Sequence, residues 1–376
     1  MHADAMADSQ VRADSRVQKE RFTAQLLAGE PARDAVEVAG RLLAIQGQDP
    51  RGARLAIRSR TTGATAADVD RAFTLDRSLV ITWLNRGTLH LVRSEDYWWL
   101  HALTVRPQLE SAVRRVLASA GVTDAGAEKG VAAIAAALAA DGPLTKMQLR
   151  AVTAAAGLPV QDNVSLHLIA LASMRGIAVR GPMIGVQQAY VHAADWLGTP
   201  PREVDRDVAL AELARRYLAG HGPACDRDLA KWAGLPIGEV RRGLSAIGAE
   251  LRDRPDGLAE LAVSHRQEAG LPAPRLLGAF DPVLHGWASR EPVLGGHQGI
   301  VTVNGLFRPF VLVDGKAVGT WSWTGGQVVL DRFGELPADA EAALAADARD
   351  VQRFLAGAAE ARRPEDQQQE AGSLSR

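Results

Sequence analysis

Leu79-Val80-Ile81-Thr82-Trp83-Leu84-Asn85-Arg86-Gly87-Thr88-Leu89-His90-Leu91-Val92 reads as two strands joined by a tight turn. Both arms are rich in β-branched and aromatic residues, and Gly87 suits the positive φ that the turn needs. Helical patterns precede it. They run over Arg16–Ala28, with Phe22, Leu26 and Leu27 on the apolar side and Gly29 as the stop, then over 32–45 and 50–60. Thr65 is placed to cap a short helix through Phe73, and Ser94 to cap another that carries Tyr97, Trp98 and Trp99. Helices closed by a hairpin are the layout of a winged helix.

A repeat extends that reading. Gly142-Pro143-Leu144-Thr145 leads through a helix to Ala156-Gly157-Leu158-Pro159, and Gly222-Pro223-Ala224-Cys225 leads through another to Ala233-Gly234-Leu235-Pro236. A long helix precedes each Gly-Pro, and a further helix follows each Leu-Pro (Val164–Arg175; Gly238–Ile247). Each unit ends in strand-like sequence: Ile177–Arg180 with Gln187–His192, then Leu251–Arg254 with Leu258–Val263. With the first unit the count is three winged-helix modules, over 16–120, 121–200 and 201–268. From Arg275 the texture becomes that of an antiparallel β domain, 269–335. Asn304-Gly305 and Asp314-Gly315 are hairpin signals between Ile300–Val303, Phe307–Val313 and Ala317–Trp323, and Gln327–Asp331 is a fourth strand. Pro309 points to an edge strand or a bulge. A helix from Ala338 to about Ala358 and a polar tail, expected to be disordered, fill 336–376. The expected class is α+β.

Composition narrows the function classes. The chain has 376 residues and a net charge of −1, so any nucleic-acid site must be a local basic patch on a near-neutral protein. The single cysteine, Cys225, excludes an intramolecular disulfide and a multi-thiolate metal centre. The acidic, polar start from Met1 to Ser15 has no apolar core of a signal peptide, and no run approaches membrane-helix length, so a cytoplasmic protein is expected. No nucleotide-binding glycine loop, metal-ligand spacing or Gly-x-Ser-x-Gly elbow is present, and neither a metal nor a cofactor is expected.

Ala44-Ile45-Gln46-Gly47-Gln48-Asp49-Pro50-Arg51 carries the most unusual polar pattern. Residues at i and i+2 project to one side only on extended backbone, and Pro50 biases Asp49 out of the helical region. A helix that buries Val36, Ala39, Leu42 and Leu43 should therefore end near Ile45, releasing Gln46 and Gln48 side by side. Asp49 then caps a new helix with Pro50 at its first position. Arg51, Arg54 and Arg58 share one face of it. Spacing alone leaves two roles open for the amides, and favours helix caps or surface groups over a binding site. Arg86, Thr88 and His90 likewise alternate on one face of the hairpin, opposite Leu89 and Leu91, either toward solvent or toward a substrate. His167, His192 and His285 stand alone, and Trp98, Trp99, Trp321 and Trp323 read as packing residues.

Four motifs in order change the balance: Leu42–Pro50, Trp83-Leu84-Asn85-Arg86-Gly87-Thr88-Leu89-His90, Gly278-Ala279-Phe280-Asp281-Pro282-Val283-Leu284 and Gly319-Thr320-Trp321. Together they resemble the AlkZ/YcaQ-type family of bacterial winged-helix DNA glycosylases, from about residue 17 to 333. The resemblance implies three tandem winged helices arranged as a C-shaped clamp with a C-terminal antiparallel β domain. It also implies that Gln46 and Gln48 are catalytic, and Gln rather than Asp at 48 places the chain nearer the AlkZ branch. Gly47 departs from the family, where the middle residue is usually larger and often aliphatic.

Neutral amides fit one chemistry. An N7-alkylguanine already carries positive charge and leaves as a neutral purine, so hydrolysis of its N-glycosidic bond needs no strong acid or base. For the AlkZ branch the resemblance implies bulky natural-product monoadducts or interstrand crosslinks, removed as self-resistance, on double-stranded DNA by a monomer. Arg51, Arg54 and Arg86 would then hold phosphates, with Thr88 and His90 beside the lesion. A non-catalytic winged-helix regulator and a protein that sequesters the lesion or drug are the rival readings.

Overall fold

The computed structural model describes residues 14–200, 203–262, 270–297 and 299–360. The chain forms two compact units. Unit 1 takes the chain up to Thr65 together with Asp205–Leu355; unit 2 takes Ala66–Val204 and the chain from Ala356. The polar tail from Arg362 and the chain up to Ala13 lie outside the described residues.

Unit 1 opens with α1 (14–24), which stops short of Gly29 because the backbone already turns left-handed at Leu26, φ 59°. In α2 (Ala35–Leu42) the Asp34 side chain caps the first turn by accepting from the Glu37 N–H at 2.8 Å. Its core face is Ala35, Val38, Ala39 and Leu42, spaced as a helix stripe should be. Val36, expected in that core, is half-buried. β1 (Ile45–Gln46) and α3 (Pro50–Arg58) follow.

Unit 2 holds α4 (Ala66–Thr74) and the expected hairpin, β2 (Leu79–Leu84) and β3 (Thr88–Arg93), registered from Leu79↔Arg93 to Leu84↔Thr88. The aromatic helix α5 (Tyr97–Thr104) is not capped by Ser94. A 3₁₀ turn over Ser94–Asp96 intervenes, and the Ser94 hydroxyl instead donates to the Arg77 carbonyl at 2.5 Å. Next come α6 (Pro107–Ser119), α7 (Asp124–Asp141), α8 (Lys146–Ala155), α9 (Asp162–Met174), β4 (Ala178–Ile184), β5 (Gln187–His192) and α10 (Ala193–Leu197). β2 pairs with β4, so the two hairpins share an antiparallel sheet in the order β3-β2-β4-β5.

Unit 1 resumes with α11 (Arg206–His221), α12 (Asp226–Ala233) and α13 (Ile237–Ala246). The sequence repeat has a local structural counterpart. After Gly142-Pro143, Leu144 bridges Tyr190 and Thr145 caps α8 with Gln148; after Gly222-Pro223, Ala224 bridges Ala259 and the Cys225 N–H donates to the Asp228 carboxylate at 3.0 Å. The second repeat lacks the expected strands: over the described residues of 251–263, Leu251↔Leu261 is a single bridge. One bridge is too few to make an extended ladder.

The remaining elements are β6 (Arg275–Leu277), α14 (Glu291–Leu294), β7 (Phe310–Val313), β8 (Lys316–Thr324), β9 (Gln327–Arg332) and α15 (Ala338–Glu360). The strands make one antiparallel sheet in chain order. Asp314 and Gly315 take φ 49° and 74°, as their hairpin requires. The three-residue strand β6 had no sequence signal, and Ile300–Val303 keeps only the bridge Val301↔Phe307. β7 is interior rather than an edge: Pro309 lies just before it, where no N–H is needed, and the ladder bulges between Val311 and Leu312. Among the described residues no helix is long and apolar enough to cross a membrane.

One ion pair ties the parts of unit 1 together. Arg60, just past α3, donates to both carboxylate oxygens of Asp281 at 2.8 and 3.0 Å, with both side chains fully buried. The same guanidinium donates to the Gln25 backbone and side-chain oxygens, so the turn after α1, the end of α3 and the 278–284 segment meet on one residue. Removing one partner strands the other charge in the core. Asp281→Ala should cost about 3–5 kcal/mol, read as a lowered midpoint in urea unfolding.

Candidate functional site

Helix α2 ends earlier than its pattern predicts because of Leu43, which takes φ 63°, ψ −47° while fully buried. The Ala44 N–H folds back on the Leu42 carbonyl at 2.7 Å, a γ-turn of the uncommon, strained kind. Such a conformation costs a bulky residue about 1–3 kcal/mol and persists only where its surroundings enforce it. The chain therefore leaves the helix abruptly and enters β1. Gln46 is buried, 7% exposed, Gly47 is buried, and Gln48 is exposed. The two amides are thus close in sequence but differ in burial, Gln46 inside and Gln48 exposed.

Helix α3 starts at once and is held firmly. Asp49 caps it as expected, accepting from the N–H groups of Arg51 and Gly52 at 2.8 and 2.9 Å, with Pro50 at the first position. A Cβ on Gly52 would run into the Ala279 carbonyl oxygen, so α3 and the 278–284 segment touch backbone to backbone. Gly278 returns the contact, with a hypothetical Cβ 2.9 Å from Leu55 Cβ. Alanine at 52 forces the two backbones apart. Gly52→Ala should destabilise the protein by about 1–3 kcal/mol, measured by thermal unfolding, with Gly52→Ser no better tolerated.

The expected arginine face is not a solvated row. Arg51 is exposed, but Arg54 is 7% exposed with Nη1 donating to the Pro50 carbonyl at 3.0 Å. Arg58, 3% exposed, donates to Asp347 at 2.9 and 3.0 Å, to Asp350 at 3.2 Å and to the Leu276 carbonyl at 2.9 Å. Periodicity put these residues on one side correctly. It could not reveal that acidic residues from α15 cover the far end of that side.

The second group of expected site residues lies in unit 2, whereas the glutamines, Arg51 and Arg54 lie in unit 1. Gly87 has the predicted positive φ, 76°, and Arg86 unexpectedly shares it, φ 59°, with its side chain exposed. A Cβ on Gly87 would stand 3.1 Å from the Leu109 side chain, which fixes the turn against α6. The Thr88 hydroxyl donates to the Asn85 carbonyl at 3.2 Å. His90 is 3% exposed, contrary to a solvent-facing hairpin residue. Its Nδ1 lies 2.9 Å from the Thr88 carbonyl, which can only accept, so that nitrogen carries the proton. Burial, reinforced by the charge of Arg86, pushes its pKa down to about 3, against the Thr88 hydrogen bond. The imidazole is neutral across the physiological range. The sequence gives no signal that Arg60 pairs with Asp281 or that Gly52 abuts Ala279, since each pair is more than 200 positions apart.

The sequence profile of the family described as DNA glycosylase AlkZ-like matches residues 39–354. The chain belongs to that family. Among characterised relatives it is similar to the interstrand DNA cross-link repair glycosylase of Streptomyces sahachiroi, 28% identical over 374 positions, covering 89% of this chain and 96% of the relative. Among solved structures it is similar to the DNA glycosylase AlkZ of Streptomyces sahachiroi, with a TM-score of 0.70 and 26% identity, covering 90% of this chain and 96% of that one.

His90 has a consequence for stability. In the unfolded chain an imidazole takes up a proton near pH 6.5, whereas folded His90 stays neutral down to about 3. Between those values the unfolded state binds more protons, so stability falls as the pH is lowered through that window. His90→Gln should flatten part of this decline in urea titrations between pH 7 and 4; an unchanged slope would show that the ring is not buried and neutral.

Proposed function

We propose that this chain is a monofunctional DNA glycosylase that hydrolyses the N-glycosidic bond of cationic N7-alkylguanine lesions, with bulky natural-product adducts or interstrand crosslinks as substrates. The carrying observation is the Gln46-Gly47-Gln48 element on a clamped helix start, with two carboxylates of that clamp engaged by other groups. Asp49 is spent on the N–H groups of α3, and Asp281 on Arg60. A site of neutral amides suits a base that leaves without needing a proton.

In this reading positive charge moves from the base to the sugar in the transition state. Catalysis consists of placing a water at C1′ and setting fixed carbonyl dipoles against the oxocarbenium. The burial difference supports a division of labour. Gln46, inside, supplies the fixed dipole, which is stronger in a low dielectric; Gln48, exposed, holds the incoming water. Arg51 and Arg86 present exposed guanidinium groups for phosphates, and Arg54 steadies the first turn of α3. Thr88 offers a hydroxyl, and neutral His90 adds no charge against a cationic base. Double-stranded DNA bearing the alkylated guanine is the partner, the protein acts as a monomer without metal or cofactor, and the three winged-helix modules over 16–120, 121–200 and 201–268 belong to the same proposal.

Incubation with duplex DNA containing N7-methylguanine, followed by hot alkali, tests it. Wild-type protein should give strand breaks at the lesion, and Gln46→Ala and Gln48→Ala should each lower the rate by about 100-fold. Both variants cleaving like wild type would remove the catalytic assignment. Lesion binding without base release would favour sequestration, and a footprint on a defined undamaged sequence would favour a regulator.

A further inference from the structure

Three rings in unit 1 gather beside the first turn of α3. Phe280 and Phe307 have centroids 5.1 Å apart, His285 and Phe307 4.3 Å, and Phe280 and His285 6.0 Å at an interplanar angle of 13°. Phe307 is 9% exposed and carries the Arg290 guanidinium 4.9 Å over its ring. Phe280 and His285 are half-buried, with part of each side chain exposed, so they are the part of the cluster that a ligand can meet.

Phe280 is set unusually. Its φ is 58°, a left-handed backbone that a bulky side chain rarely adopts. Both chain neighbours are immobilised: the Ala279 carbonyl abuts Gly52, and Asp281 is locked to Arg60. Gly52 is the third residue of α3 and comes four after Gln48, so the segment that carries Phe280 packs on the first turn of the helix that follows the amide pair. A strained aromatic residue in a rigid segment, left partly in solvent, is poorly accounted for by packing alone.

We propose that Phe280, with His285 and Phe307 behind it, is a stacking surface for a planar aromatic group of the lesion. This rests on the glycosylase reading above. The group is either the alkylated purine itself or an aromatic substituent carried by the adduct, and both present a flat π face. A cationic purine gains further from the negative face of a phenyl ring, which a neutral guanine does not.

Three duplexes separate the sources, carrying N7-methylguanine, N7-benzylguanine or N7-(cyclohexylmethyl)guanine. Binding is followed by fluorescence anisotropy and base release by kcat and KM, for wild type, Phe280→Leu and Phe280→Tyr. Stacking on the substituent predicts that Phe280→Leu weakens binding of the benzyl duplex about tenfold relative to the cyclohexylmethyl one, with kcat little changed. Stacking on the purine predicts an equal loss, about tenfold, for all three. In either case Phe280→Tyr, which keeps the ring, restores wild-type binding. Binding unchanged in Phe280→Leu, or a loss that Phe280→Tyr fails to restore, overturns the proposal. Wild-type protein that binds the duplexes but releases no base would refute the glycosylase reading instead, while the binding arm still decides the role of Phe280.

Discussion

The buried pair Arg60–Asp281 is the constraint on which the candidate site depends. Two opposite charges with no exposed surface must satisfy each other, and here they do so with two hydrogen bonds plus the oxygens of Gln25. That geometry fixes the segment after Ala279 against the end of α3, and the contact between Gly52 and Ala279 fixes it against the beginning. Arg58 adds a third tie, through Asp347 to α15. A helix pinned at both ends presents its preceding residues without slack, and those residues are Gln46, Gly47 and Gln48. Preorganisation of this kind is what a reaction relying on dipoles rather than proton transfer requires.

Much of the fold could be read locally, because it rests on local rules. The β2–β3 hairpin followed from alternation and one turn glycine, the Asp49 cap from Pro50 after it, and the Thr145 capping box from Gln148 three residues on. The failures have a common cause in contacts far along the chain. Spacing puts Arg54 and Arg58 on one face but does not show the residues that bury them, and alternation puts His90 on one side of the hairpin without showing that this side is covered. The end of α2 was placed late because nothing in a leucine announces a positive φ. Strand-like sequence at Leu251 and Val301 forms isolated bridges rather than ladders among the described residues.

The charge pattern around the candidate residues is coherent. Asp49 and Asp281 face N–H groups and a guanidinium, and the only histidine among the expected site residues is kept neutral by burial. Gly47, between the two amides, is itself buried.

The interruption of unit 1 by Ala66–Val204 has a bearing on biosynthesis. Arg58 and Arg60 emerge from the ribosome long before Asp281 and Asp347 exist to receive them. At about 5–20 residues per second that wait is on the order of tens of seconds. Unit 2 is meanwhile translated in full up to Val204. The helix after the glutamines is thus among the first segments made and among the last to gain its long-range partners, Asp281 and Asp347.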